Sequence, residues 1–424
     1  MNARVCAEGA PDSRRRGALD GLTVVDLSRV LAGPYCAQML GDHGARVIKV
    51  EPPDGDMTRE WGPADTAGVS PYYAGLNRNK EHISVDLRTA QGQDLLLELL
   101  ADADVLIENF KAGTMDRWGM GPDVLLERFP RLVYCRITGF GYDGPMGGLP
   151  GYDAVLQAYS GIMDMNGESG RGPVKVPMPV VDLATGMLAL SGVLLALHER
   201  QISGRGQLVD LALLDGAVSL LHPQAANYLL QGEEPQRIGT AHPNVAPYET
   251  FGGPDERQLF VGGGNNRQFR ALCAYLGRPE LADDPRFVNN WDRVQNRSEL
   301  SRFIAELMTG IDLADAAGSM LAEGVPASPV RPLAEVVEDP QVRHRQMVEE
   351  VGGYQLLGIP IKLGRTPGKV VSPPRPLGAD TRATLATLGV PAERIEQLVA
   401  DGVVRAGAAH DLDDAETVAE PTHV

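Results

Sequence analysis

The stretch that decides the fold is LTVVDLSRVLAGPYCAQMLGDHGARVIKVE, residues 22–51. Residues 22–27 (LTVVDL) are apolar and β-branched, 34–43 read as a short helix, and 45–51 (ARVIKVE) return to strand character. Together they make one βαβ unit. Working outward, the rhythm repeats with HISVDL at 82–87, the helical AQGQDLLLELLADA at 90–103, DVLIENF at 104–110, a helical stretch to Phe129, and RLVYCRIT at 131–138. Strands that alternate with helices in this way imply a parallel sheet covered on both faces. The expected fold class is therefore α/β, a doubly wound, Rossmann-like sheet. Ligands of such sheets sit beyond the carboxyl ends of the strands, here just after Leu27, Glu51, Phe110 and Thr138.

From Asp153 the pattern changes to a helix (DAVLQAYSGIMDM), a Gly/Pro-rich loop (NGESGRGPVKVPMP) and a long apolar helix from Asp182 to about Gln201, after which 206–221 run as a strand into a helix. The loop RIGTAHPNVAPY, the strand-like RQLFVGGG and amphipathic helices around 267–276 and 298–309 read as a smaller α+β domain. The expected organisation is a flexible N-terminus (1–18), the first part of a large domain (19–224), a small domain (225–325), a return to the large domain (326–405) and an acidic, disordered tail (406–424). The return would use a strand-like GIPIKL and a helix near 379–399.

Composition narrows the function classes. With 43% apolar and 22% charged residues in 424, the chain is an ordinary globular protein rather than a disordered one. Its longest apolar run, Gly186 to His198, falls short of the roughly 18–20 residues that cross a bilayer, so no transmembrane segment is expected. The 56 acidic against 39 basic side chains argue against a general nucleic-acid binder. Five of those acids lie after Arg405, with no Lys or Arg among them. An anionic ligand would need a local basic pocket. Cys6, Cys36, Cys135 and Cys273 are far apart, with no CxxC spacing to suggest zinc, and read as reduced thiols in a cytoplasm. The first twenty residues have basic side chains but no apolar core, so a secretory signal is not expected.

A dinucleotide site is the first guess for this sheet, but its first turn, SRVLAGPYC (28–36), has one glycine where GxGxxG needs three, and there is no phosphate-loop motif. The cluster Gly262-Gly263-Gly264 is a turn or a flexible loop over an active site. VPMPVVDLATGMLAL (176–190) is more informative, because Asp182 opens a helix that is apolar almost all round. Asp182 can be a helix cap. It can equally be a carboxylate at the mouth of the sheet, beside amides able to stabilise an oxyanion. The two roles can coexist.

VDLSRVLAGPYCAQMLGDHGARVIKVEPP (25–53), NRNKEHISVDL (77–87), ADVLIENFKAGTMDRWGMG (103–121), GFGYDGP (139–145), GYDAVLQAYSG (151–161), VDLATGMLAL (181–190) and SGRGQLVDLALLDG (203–216) occur in order. In this the chain resembles the family III (CaiB/BaiF) CoA-transferases, which include the α-methylacyl-CoA racemases, from about Leu19 to beyond Pro340. AANYLLQGEEPQRIGTAHPNVAPYETF (225–251) and VGGGNNRQF (261–269) are most similar to the members that use dicarboxylates. The resemblance implies transfer of CoA from an acyl-CoA, with succinyl-CoA as donor, to glutarate, hydroxymethylglutarate or a similar diacid. CoA thioesters would be substrates, with no tightly bound cofactor and no metal. Asp182 would be the nucleophile. CoA contacts would come from Val30, Leu31, Ala32, Asn79, Lys80, Asn109, Phe110, Lys111, Arg117, Thr138 and Gly139. Tyr152 and His242 would meet the substrate acids, and Gly263 and Gly264 would form a mobile lid. An interlocked homodimer is also implied.

Two departures bear on the reading. Racemases place a His before the Asp of a GHD motif, and this chain reads Gly151-Tyr152-Asp153. A phenol of pKa near ~10 is a poor base beside an imidazole near ~6.5, which favours transfer over epimerisation. After the second strand, formyl-CoA transferases carry an Arg where this chain has Pro52, leaving Arg29, Arg59 or Arg78 to supply that contact. A racemase-type isomerase and a non-catalytic acyl-CoA binding protein are the alternatives.

Overall fold

A computed structural model describes residues 17–65, 67–252 and 257–407. The expected flexible N-terminus and acidic tail lie outside them, apart from residues 17–18 and 406–407. The chain divides into two units. One comprises the residues to Leu156, Pro179–Val218 and those from Pro340 onward, and the other Gln157–Met178 and Ser219–Asp339.

The first unit is built on a sheet of β1 (Thr23–Asp26), β2 (Arg46–Glu51), β3 (Glu81–Val85), β4 (Val105–Glu108), β5 (Val133–Thr138) and β6 (Leu208–Ala212), in the spatial order β3-β2-β1-β4-β5-β6. All of these pairings are parallel. The runs of β1 to β5 are buried on both faces, and Val25, Ile48, Ile83 and Leu106 share one core with Leu95 and Leu99 from the helix Ala90–Leu100, while the edge strand β6 is only partly buried. The strand order reverses between β1 and β4, which opens a crevice at their carboxyl ends. A cavity lies there, at the position where the sequence reading placed a ligand.

The outer edge of β3 is closed from the far end of the chain. Val404 and Arg405 pair antiparallel with Val85 and Ser84, while Asp380 Oδ2 and Thr381 Oγ1 accept the amides of His82 (2.8 Å) and Ser84 (3.1 Å). The sequence reading missed this edge strand. It placed a strand on GIPIKL, whereas the local strands are the hairpin Val348–Val351 and Tyr354–Leu357. The single helix expected near 379–399 is two, Thr381–Thr387 and Ala392–Ala400, separated by Gly389 at φ +81° and Pro391.

The long helix runs from Val180 to Ser203 and ends at Gly204 in the left-handed conformation. It crosses α1 (Ala32–Asp42) closely, since a β-carbon on Gly186 would stand 2.8 Å from the Ala32 carbonyl. Val181, Thr185, Ala189, Val193 and Ala196 are buried. A helix apolar almost all round would be expected to be buried all round, yet Met187, Leu188 and Leu194 are exposed on the outer face, with Leu195 at 70% and Ile202 at 79%. The premise behind expecting no transmembrane segment, that the longest apolar run is too short, is corrected too. This helix of 24 residues is long and apolar enough by length and composition, because it extends past the short apolar run. Half of its apolar window is nevertheless buried within the fold, as in a core helix.

The second unit is the expected α+β domain. β7 (Tyr248–Gly252), β8 (Gln258–Gly262) and β9 (Ala327–Pro329) form an antiparallel sheet. Phe251, Leu259 and Val261 pack with Phe269 of the helix Asn266–Tyr275 and with Leu300 and Ile304 of the helix Arg297–Met308. Because β9 completes that sheet, the unit continues past the expected end at 325 to Asp339, and the segment Gln157–Met178 belongs to it rather than to the large domain. The helix expected over 153–165 is broken into Asp153–Tyr159 and Ile162–Met165 by Gly161 at φ +91°.

Candidate active site

Beyond the carboxyl ends of β1, β4 and β5 lies a cavity of ≈ 290 Å³, lined by Arg29–Ala32, Met57, Asn109–Ala112, Ile137–Gly139, Gly148–Tyr152, Asp182 and Leu213. Asp182 reaches it because Gly186, one helical turn later on the same face, lets the long helix lie against the first turn of α1.

Asp182 is the third residue of the helix and does not cap it; Pro179, at the cap position, has no side chain that could. The cap comes from Asp153, whose Oδ1 accepts the amides of Val181 (2.8 Å) and Asp182 (3.3 Å). This corrects the capping reading and part of the oxyanion reading, while Asp182 does line the strand-end cavity. The capping role belongs to a different aspartate, and two of the amides proposed for an oxyanion are already engaged. The Asp182 carboxylate is left without a hydrogen-bond or ion-pair partner among the described residues. Burial first, and then the negative charge of Asp153, push its pKa up to about 7. Tyr72, edge-on to Trp61 at 5.0 Å, has its phenol pushed up to about 12 by burial and then by the charge on Asp182.

Among the described residues, the cavity wall carries two cationic side chains that make no ion pair, Arg29 and Lys111. The Arg29 guanidinium lies 5.6 Å from the centre of the Phe110 ring. Of the three arginines considered in place of a residue at Pro52, only Arg29 lines the cavity. Arg59 is held by Glu51 (2.7 and 2.8 Å), and Arg78 is buried against Asp42 (2.7 and 2.9 Å) and the Leu357 carbonyl.

Most of the expected CoA contacts line the cavity: Val30, Leu31, Ala32, Asn109, Phe110, Lys111, Thr138 and Gly139. Three do not. Lys80 is fully buried, its ammonium saturated by Asp26 (3.0 Å), the Pro34 carbonyl (2.9 Å) and Asn77 (2.9 Å), so it cannot meet a phosphate. Asn79 spends its side chain on Asp42, the Lys369 carbonyl and the amides of Val371 and Ser372. Arg117 is exposed, bonds Thr114 (2.9 Å) and lies off the cavity wall.

Tyr152 is 57% exposed and lines the cavity rather than packing in the core. His242, Gly263 and Gly264 all belong to the second unit. His242 Nδ1 accepts the Asn244 amide (3.1 Å), and its ring meets Tyr248 edge-on, which is a structural arrangement. Gly263 is not a free lid residue. Its amide bonds the Pro247 carbonyl (2.7 Å), and a β-carbon there would meet the Pro247 ring at 2.9 Å. Sequence reasoning missed Met57, Leu149, Pro150 and Leu213 as lining residues, and Asp153 as the cap. Asp56-Met57-Thr58, where Asp56 caps a short turn, carried a readable signal for the first of these.

A carboxylate with no partner, in a strand-end cavity whose wall elsewhere carries Arg29 and Lys111, points to a class: an α/β enzyme acting on an anionic substrate. Residues 19–381 match CoA-transferase family III. Succinyl-CoA:glutarate CoA-transferase of Mus musculus is 38% identical over 397 residues, covering 91% of this chain and 90% of that protein. Succinate–glutarate CoA-transferase of Agrobacterium fabrum is 40% identical over 386 residues, covering 88% and 96%. The crystal structure of a CAIB/BAIF family protein from Brucella suis superposes with a TM-score of 0.79 at 41% identity, covering 88% of this chain and all of that one. The chain belongs to CoA-transferase family III.

Proposed function

We propose that this enzyme moves CoA from succinyl-CoA or a similar acyl-CoA to a dicarboxylic acid such as glutarate or hydroxymethylglutarate, with Asp182 as the nucleophile. The observation that carries the reading is the Asp182 carboxylate, freed from capping by Asp153 and directed to the cavity at the strand ends. The names of the mouse and Agrobacterium relatives support the choice of substrates.

In the first half-reaction a carboxylate oxygen of Asp182 attacks the donor thioester carbonyl, and the C–S bond breaks to release CoA thiolate and leave a mixed anhydride. The thiolate then attacks the Asp182 Cγ and expels the donor acid as its carboxylate, giving an aspartyl-CoA thioester. The acceptor carboxylate repeats these steps in reverse and restores Asp182. One thioester replaces another, so the exchange consumes no ATP and gains or loses no proton overall. The protein's work is to hold CoA, to stabilise the transient oxyanions and to exclude water. Arg29 and Lys111 would meet CoA phosphates.

The test is to incubate the enzyme with succinyl-CoA and measure its intact mass. CoA should add to wild type and be released by hydroxylamine, while Asp182→Ala binds CoA without adduct or turnover. Full activity in that variant would falsify the assignment. The reading includes a homodimer, supported by the exposed apolar face of the long helix at Leu194, Leu195 and Ile202, and a cytoplasmic location, consistent with the free thiols of Cys36, Cys135 and Cys273.

A further inference from the structure

The turn after β1 forms one wall of the cavity, and its backbone is held by side chains from four separate places. Ser28 N–H donates to Asp26 Oδ1 (3.0 Å), and the Ser28 carbonyl accepts Lys49 Nζ (2.5 Å). Arg29 is clamped from both sides by one amide: Asn109 Oδ1 accepts its N–H (2.9 Å) and Asn109 Nδ2 donates to its carbonyl (2.8 Å). Val30 N–H donates to Asp56 Oδ2 (3.2 Å).

These bonds hold a conformation the chain would not adopt unaided. Val30 sits at φ +68°, and it is the one β-branched residue in that region among the described residues. Its branched side chain makes the left-handed conformation unfavourable, so release from the clamp would let it relax to negative φ and move the wall. Strain of this kind persists only where the surroundings over-determine it. Asp56 also ties the turn to the neighbouring segment that carries Met57. It is buried, accepts Lys49 Nζ (3.2 Å), and bonds the amide and hydroxyl of Thr58 (3.1 and 2.9 Å), fixing the turn that presents Met57 to the cavity.

We propose that Asn109 and Asp56 are positioning residues for acyl-CoA binding, acting by locking Ser28–Val30 in a strained, preformed wall. This assigns the Asn109 side chain to the protein's own backbone rather than to the ligand. The proposal rests on the reading of the cavity as the CoA site, and it deepens that reading by naming what holds the site in shape. Because the wall contacts donor and acceptor thioesters alike, loss of the clamp weakens ground-state binding more than it slows the chemical steps.

The test compares Asn109→Ala in wild-type and Val30→Gly backgrounds, reading the Kd for CoA by calorimetry and KM and kcat for succinyl-CoA. Asn109→Ala should raise Kd and KM about tenfold while kcat changes less than about threefold. With glycine at 30, which occupies positive φ without a penalty, the same substitution should cost about threefold or less. Asp56→Asn should weaken binding in the same direction; if that variant does not fold, the Asn109 and Val30 pair still decides. Binding of CoA by Asn109→Ala within twofold of wild type, or an equal loss in both backgrounds, would overturn the proposal. The two levels of failure are distinguishable. A wild type that binds no CoA defeats the transferase reading and this inference with it, whereas wild-type binding that the variants share defeats this inference alone.

Discussion

Asp26, at the end of β1, and Asp182, in the first turn of the long helix, are carboxylates on one unit with opposite electrostatics. Asp26 is completely buried, which by itself would raise its pKa, yet Lys80 and Lys49 and the Ser28 hydroxyl outweigh burial and hold it below the usual carboxylate range. Asp182 is only half-buried but has no cation beside it and has Asp153 close by, so it is pushed up to about 7. Burial alone does not separate a structural from a reactive carboxylate. The difference lies in whether the protein supplies a counter-charge: a paired carboxylate is stabilised and inert, and an unpaired one is more basic and therefore a better nucleophile when ionised.

The contrast can be broken or sharpened by experiment. The largest effect is expected at Asp182 itself, where Ala should lower turnover at least about 10³-fold while cooperative unfolding persists. Asp26→Asn should instead cost about 3–5 kcal/mol of stability in urea titrations, because Lys80 stays buried without its counter-charge. Adding Lys80→Met should recover part of that loss, and no recovery would mean the pair is not what holds β1 to the residues before β3. Next comes the pH profile. Attack needs the ionised Asp182, so kcat/KM should rise about tenfold per pH unit below 7 and level off above; a profile already flat at pH 5 would remove the contrast. The smallest effect is on stability. A folded pKa of about 7 against 3.8 in the unfolded chain means the folded state loses stability as pH rises from about 4 to 7. Asp182→Asn should therefore be about 1–2 kcal/mol more stable than wild type at pH 8 and equal to it at pH 4, as read from unfolding midpoints.

The sheet was legible because both-face burial demands continuous β-branched runs, and 22–27, 45–51 and 131–138 leave no other interpretation. The parallel sheet followed from the alternation with helices, whereas the spatial order of its strands was not read from the sequence. What stayed hidden depends on partners distant in the chain. Lys80 looks like a phosphate ligand until Asp26, Pro34 and Asn77 are seen closing on its ammonium. Asp182 looks like its own helix's cap until Asp153 is seen in that place. Local pattern also overstated continuity, running helices through Gly161 and Gly389, where positive φ ends them. The apolar composition of the long helix suggested burial on every side, although one of its faces is exposed in the single chain.

The closure of β3 by Asp380, Thr381 and Val403–Arg405 has a consequence for biosynthesis. While the ribosome is still making the C-terminal fifth of the protein, β3 presents bare amides along its outer margin, a template for pairing with other nascent chains. The smaller unit, complete by Asp339, can finish folding in that interval. Truncation between residues 340 and 380 thus yields a polypeptide that has every residue lining the cavity and an unsealed β-sheet, prone to aggregate before it could be assayed.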